Sequence, residues 1–300
     1  MVYRFKAARI SILMFLFLPA FSFQAWGQQS QVDFNISSSI DWVRGELNSE
    51  LSFELAQAGI KLPTGRLIGE DILKDAYPRF LRSSILSIKV DSNSTVRNLV
   101  DRGELSLERL DILSKEAGKI PPSLSADLTR MTGRYKFSME SAGNLLTLHR
   151  RAVEPEKPML PVMAADYTGI IIIADEELPV HGRRIQAIPE PCLFPKIWDT
   201  NMNLIYERNM YEPGRQKGMV RYVLRESIMR PTPSGLDAEL LSLVGPNPMR
   251  ILARQIFGIN PTDPVIDHAD AMLILSTENN RRLLREGRVV LVMNEFSLKF

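Results

Sequence analysis

Hydrophobic and polar positions alternate in a way that divides the chain into short elements. Apolar residues fall at Leu47, Leu51, Phe53 and Leu55, and together with Ile40-Asp41-Trp42-Val43 they predict a β-hairpin turning near Arg44-Gly45-Glu46, after a polar stretch from Gln28 to about Ser39. From Gly65 to about Ile88 the period changes. Leu67, Ile68, Ile72, Leu73, Ala76, Phe80 and Leu81 recur at helical spacing, which predicts one long amphipathic helix kinked at Pro78. Ser92 to Ser94 reads as the cap of a second helix carrying Val96, Leu99 and Val100, and Ser106 to Ala117 as a third helix that Gly118 and Pro121-Pro122 bring to a halt. Leu124 to Tyr135 and Lys136 to Leu148 read as two strands.

Arg150 to Pro161 (RRAVEPEKPMLP) is rich in proline and charge, which suits an extended connector. Beyond it, Tyr167 to Ala174 is a continuous β-branched run, as expected of a strand buried on both faces. Phe194 to Asp199 and Asn203 to Tyr206 flank Thr200-Asn201-Met202 as a hairpin, and Gly218 to Leu224 and Met249 to Phe257 are further strand candidates. Asp267, with Asp270 three residues on, predicts the capped start of a helix carrying Ala271, Met272, Ile274 and Leu275. A short helix through Leu283-Leu284 stops at Gly287, and Val289 to Val292 forms a terminal strand. The organisation expected is a leader over 1–27, an N-terminal domain over 28–150, a linker over 151–161 and a second domain over 162–300.

The leader is read from Arg4, Lys6 and Arg9 followed by the uncharged run Ile10 to Phe23, with Ala25-Trp26-Gly27 as a small-residue cleavage site. A 14-residue helix rises about 21 Å, short of the roughly 30 Å hydrocarbon core, so secretion into the periplasm is favoured over a retained anchor. Cleavage would leave 34 basic against 35 acidic residues. A chain so balanced has no clustered charge with which to neutralise phosphates, which disfavours nucleic acid as a partner. No cysteine lies near the cleavage site, so no direct lipid anchor is expected.

Candidate chemistry is sparse. One cysteine and three histidines exclude a disulfide scaffold and a closed zinc site. Asp267-His268-Ala269-Asp270 is the most ligand-like cluster, although helix capping accounts for both aspartates. Glu70, Asp71 and Asp75 resemble paired acids but suit the solvated face of a helix. Cys192 would need a histidine such as His181 and a depressed pKa to act as nucleophile, and reads better as a small buried hydrophobe. No nucleophile elbow, dinucleotide turn or phosphate loop is present. We therefore expect no catalytic, metal-binding or cofactor-binding residues.

Several segments resemble secreted bacterial envelope proteins related to small outer-membrane lipoproteins and to the flagellar outer-membrane ring proteins FlgP and FlgT. They are Ile40-Asp41-Trp42 with Gly45, Val90 to Val96, Tyr167-Thr168-Gly169, Pro195 to Asp199 with Ile205-Tyr206, Asn247-Pro248, Thr262-Asp263 through Ala271, and Arg288 to Val292. Asn203 stands where this family leads one to expect a turn glycine, and asparagine tolerates a left-handed backbone. The resemblance implies an α+β fold: an N-terminal two-layer α/β sandwich, then a mostly β second domain with a short C-terminal helical pair. It also implies a non-enzymatic structural or assembly protein of the periplasm, working with envelope or flagellar motor proteins and compatible with a homo-oligomer. The rival expectation is a ligand-binding module or hydrolase that uses an interdomain cleft, with Asp267, His268 and Asp270 or the acidic helix near Glu70 as its polar groups.

Overall fold

A computed structural model describes residues 32–298 except 116, 148, 150 and 215–217. The expected leader, 1–27, lies outside the described residues. In the N-terminal half, strands β1 (Phe34–Asp41) and β2 (Glu46–Glu54) form the expected hairpin, with Gly45 at φ 67° closing its turn. Helices α1 (Arg66–Leu86), α2 (Val96–Asp101) and α3 (Leu107–Lys115) follow. Strands β3 (Gly118–Leu124) and β4 (Arg130–Ser138) complete an antiparallel sheet of order β1-β2-β4-β3, and α4 (Met139–Leu146) ends the half.

Alternation explains how the sheet meets the helices. Leu47, Leu51 and Phe53 of β2 and Met131, Tyr135 and Phe137 of β4 point to one face, where Leu73, Tyr77, Leu81 and Ile85 of α1 arrive at four-residue spacing. Gly69 lets α1 approach β4: a Cβ there would meet the Met131 thioether at 2.9 Å. The opposite face carries cross-strand ion pairs, Glu46–Lys136, Glu50–Arg134 and Glu54–Arg130, and faces water.

The second half begins with β5 (Ile170–Ile173), then the two-residue strands β6 (Leu178–Pro179) and β7 (Gln186–Ala187), then the hairpin β8 (Ile197–Asp199) and β9 (Leu204–Tyr206). After β10 (Arg221–Val223) come α5 (Ala238–Val244), β11 (Met249–Leu252), β12 (Gln255–Phe257) and β13 (Asp263–Ile266). Helices α6 (His268–Ser276) and α7 (Glu278–Arg285), strand β14 (Val289–Val292) and α8 (Glu295–Leu298) close the chain. One sheet, ordered β10-β14-β5-β11, is parallel throughout; a second, β12-β13-β8-β9, is mixed. The fold is α+β, as expected, with a β-rich second half and helices near its end.

The isoleucine run of β5 lies in the middle of the parallel sheet. Ile170 and Ile172 join the large core shared with the N-terminal half, whereas Ile171 packs with Val223, Leu240, Val244 and Val290 on the other face. This explains an apolar run without alternation.

Several boundaries differ from expectation. Phe34–Asp41 is a strand despite its polar sequence, because it is an edge with five consecutive exposed residues. Residues 139–146 are helical rather than extended: Ser138 and the hydrogen bond from Met139 N–H to the Gly45 carbonyl turn the chain out of β4. Strand β3 runs through Pro121-Pro122, tolerated on an edge where the pairing with β4 shifts between Ile120 and Ser123. Thr95, in a capping box with Asn98, starts α2 in place of Ser92 to Ser94. Met249 to Phe257 is divided between two sheets, whereas Val289 to Val292 is the last strand of the chain, as expected, and lies inside its sheet. The left-handed residue of the β8–β9 turn is Met202, at φ 60°, not Asn203.

Candidate functional site

The two halves meet along Lys89 to Thr95. Leu193 and Phe194 donate backbone hydrogen bonds to the carbonyls of Lys89 and Val90, Asn260 donates to that of Ser92, and Lys89 pairs with Glu190 at 2.5 Å. Gly258 sits so close to Ser92 that a Cβ would lie 2.4 Å from the serine Cβ. Beneath this seam, Asp263 is fully buried and accepts from Lys196 N–H, the Thr262 hydroxyl and Trp198 Nε1–H, with Ser92 as a further donor across the seam. Burial raises its carboxyl above the usual range against the opposing pull of these hydrogen bonds. Trp42 adds a second tie: its backbone N–H reaches the Leu298 carbonyl at 3.2 Å and its ring meets Tyr222 edge-on.

Each candidate from the sequence has a definite place. Asp267 caps α6 by accepting from Ala269 N–H. His268, the first residue of α6, places Nδ1 2.6 Å from Asp199 Oδ2. Asp199 also accepts from the backbone of Asn201 and Asn203 and from the Asn203 side-chain amide, so one carboxylate holds the β8–β9 turn and ties it to α6. Burial pushes this carboxyl upward, but the hydrogen bonds from Asn203, His268 and Asn201 outweigh it and leave it below the usual range. Asp270 is raised, first by burial and then by the charge of Asp267, with Arg254 opposing. No group of three or more His, Cys, Asp or Glu side chains suited to a metal ion occurs among the described residues.

Glu70 pairs with Arg66 one turn away, and Asp71 and Asp75 are exposed, so these acids form the solvated face of α1. Cys192 is fully buried, its thiol pushed well above the usual range chiefly by burial. Its backbone N–H and carbonyl are both engaged by the Tyr222 hydroxyl. His181 faces Gln255 instead, with Nδ1 2.7 Å from its amide oxygen. A cleft of about 340 Å³ does lie between the halves, lined by Trp42, Arg44, Lys136, Glu140, Phe194 and Tyr222 among others. Neither Glu70 nor the Asp267–Asp270 cluster is part of its lining.

The connector between the halves has a feature that its composition did not reveal. Its start is tied by Val153 N–H to the Asn209 carbonyl and by Glu154 to Arg285 at 2.7 Å, and Pro155 is buried. Its end is tied by Val162 N–H to the Ser276 hydroxyl and by the buried Asn280, whose side chain bonds Ala165 O and Tyr167 N–H. Between these anchors Met159 and Met163 are each 99% exposed, and Leu160 is nearly so. Pro155, Pro158 and Pro161 restrict the backbone on either side of a bend at Met159-Leu160, so an apolar strap is displayed at reduced entropic cost. The sequence signal was present in KPMLPVM, but composition does not say which way a connector's apolar side chains point.

Residues 33–145 match the family model of the N-terminal domain of Treponema pallidum Tp0624, and residues 169–295 match that of its second domain. The chain carries the two Tp0624-type domains in series. The strap falls between the two matched segments, and the seam at Lys89 to Thr95 lies within the first Tp0624-type domain. No curated protein matches the chain. Among the described residues no helix is long and apolar enough to cross a membrane.

Proposed function

We propose that this protein is a non-enzymatic assembly component of the bacterial envelope, delivered to the periplasm by its leader and docking onto another envelope protein through the strap. One observation carries the reading: Met159, Leu160 and Met163 are held in solvent by a segment anchored at both ends. Apolar side chains displayed on a pre-ordered backbone bind with a smaller ordering cost, and methionine adapts to irregular partner surfaces. A position near the flagellar motor is the finer proposal, motivated by the resemblance to FlgP and FlgT.

Cross-linking in intact cells followed by fractionation tests it, comparing the wild type with a variant carrying Met159→Ser, Leu160→Ser and Met163→Ser. The wild type is expected in a large complex and the variant in the free pool, with equal melting temperatures. Equal recovery of both in the complex, or a wild type found only as a free monomer, would overturn the reading.

The cleft supports a second reading as a small-ligand site, since its volume falls in the range of such sites and Arg44, Lys136 and Glu140 add polar groups to Trp42 and Tyr222. Ligand at a hundred times its dissociation constant would then stabilise the protein by about 2.7 kcal/mol in a thermal melt. Absence of any shift across sugars and peptidoglycan fragments would end that reading.

A further inference from the structure

The two edges of the N-terminal sheet are built differently. Strand β3 carries the devices that discourage further pairing, two prolines and a break in register. Strand β1 carries none of them over eight residues: it has no proline or basic residue, its register with β2 is continuous, and no other strand among the described residues pairs with its far side. From Phe34 to Ile40 it is also uncharged.

The sequence of this open edge reads the same in both directions about Ser38: Ile36-Ser37-Ser38-Ser39-Ile40. A two-fold axis through Ser38 would set each residue of an antiparallel strand pair opposite its mirror position on the second copy, so this symmetry sets isoleucine against isoleucine and serine against serine. We infer that β1 pairs antiparallel with β1 of a second copy of this chain, in register about Ser38, to give one continuous eight-stranded sheet. This surface is separate from the strap and does not depend on the reading proposed for it.

Side-chain directions agree with that register. Ile36, Ser38 and Ile40 lie opposite Leu51, Ser49 and Leu47 of β2, on the helix-covered side, whereas Ser37 and Ser39 lie opposite Glu50 and Asn48 on the water-facing side. Directly opposed residues of an antiparallel pair share a face, so Ile36 meets the second copy's Ile40 on the helix-covered side. Ile36 is 40% exposed in the single chain, and this contact covers it. The one charged residue of the strand, Asp41, falls opposite Asn35 of the second copy, an amide donor facing a carboxylate acceptor, twice by symmetry. On the water-facing side Ser37 meets Ser39 of the second copy on either side of the axis, so no like charges oppose one another there.

Sedimentation of the purified protein over a wide concentration range tests the inference, together with two variants. Lysines at Ser37→Lys and Ser39→Lys fall opposite each other across the axis and are expected to weaken the dimer about tenfold without lowering the melting temperature. Ser38→Cys places two thiols at directly opposed positions, where Cα separations of about 4.5–5.5 Å permit a disulfide. Mild oxidation is expected to yield covalent dimer several-fold faster than for Ile120→Cys on the other edge. A wild type that stays monomeric, a dimer indifferent to the two lysines, or equal cross-linking at Ser38 and Ile120 would each overturn the inference. Because every readout uses the purified chain, failure here is distinguishable from failure of strap-dependent recovery in cells.

Discussion

Asp199, with only 1% of its side chain exposed, accepts a hydrogen bond of 2.6 Å from His268, whose imidazole is 46% exposed. The asymmetry in burial separates their contributions. Asp199→Ala would leave the turn amides of Asn201 and Asn203 without their acceptor and is expected to cost about 2–3 kcal/mol, since hydrogen bonds to a charged group are worth about 1.5–3 kcal/mol each but turn groups regain water. His268→Ala is expected to cost less than about 1 kcal/mol because the solvated imidazole is well screened. Urea denaturation of the two single variants and the double variant measures both costs and their coupling.

The two buried aspartates act in opposite directions in acid. Asp199 titrates below its unfolded value, so it contributes stability above the usual carboxylate range that is lost as pH falls through its native pKa. Asp263 titrates above its unfolded value, so its contribution is full below that value and is lost as pH rises through its native pKa. Asp199→Asn should therefore flatten the fall in stability below the ordinary carboxylate pKa of about 4, and Asp263→Asn should remove a loss of stability that sets in as pH rises above it. Urea midpoints on both sides of that pKa would show the two slopes.

Tyr77 and Tyr135 stack with ring centroids 3.3 Å apart, and burial raises both phenols, that of Tyr135 to about 12. Their hydroxyls differ: that of Tyr135 reaches the Leu73 carbonyl at 3.4 Å, while that of Tyr77 is buried with no hydrogen-bond partner. Tyr77→Phe should therefore raise stability by about 1 kcal/mol, measured as a shift of the urea midpoint at unchanged slope.

Two glycines give opposite results on substitution by alanine. At Gly169 a Cβ would lie 2.4 Å from the Val244 Cβ and 2.6 Å from its Cα, so the start of β5 would have to leave α5, at a cost of about 1–3 kcal/mol or more. At Gly143, inside α4, the nearest atom is the Phe194 ring at 3.9 Å, and Gly143→Ala should stabilise by about 0.5–1 kcal/mol through helix propensity. Thermal melts of the pair test the packing of both halves at once.

Elements whose side chains face one environment were legible in the sequence: β5 from its isoleucine run and α6 from the Asp267 cap, whereas α1 was legible as a helix but not in its buried face, which is Leu73, Tyr77, Leu81 and Ile85 while Leu67 and Ile68, expected to be apolar contacts, are exposed. Elements set by partners distant in sequence were not. β1 is extended because β2 pairs with it, although FNISSSID has little apolar pattern of its own. Residues 139–146 (MESAGNLL) hold helix formers and no β-branched or aromatic residue, so their helix was open to a propensity reading that the expected strand over Lys136 to Leu148 passed over. The parallel order of β10, β14, β5 and β11 depends on crossovers that periodicity does not report. At the site level, the bland readings of Asp267, Glu70 and Cys192 agree with their surroundings. The pairing of His268 with Asp199 spans 69 residues, and no local spacing announces it.

The hydrogen bond from Trp42 to Leu298 joins the first hairpin to the last helix among the described residues. During synthesis these two positions emerge far apart in time, so the Trp42 backbone N–H has no Leu298 carbonyl to reach until nearly all of the polypeptide is available. The N-terminal sheet and α1 can form early from local segments, but their final seating is a post-translational event. A nascent chain stalled before α8 would have Tyr222 for the Trp42 ring but no partner for the Trp42 backbone N–H, leaving the turn end of the first hairpin unfastened.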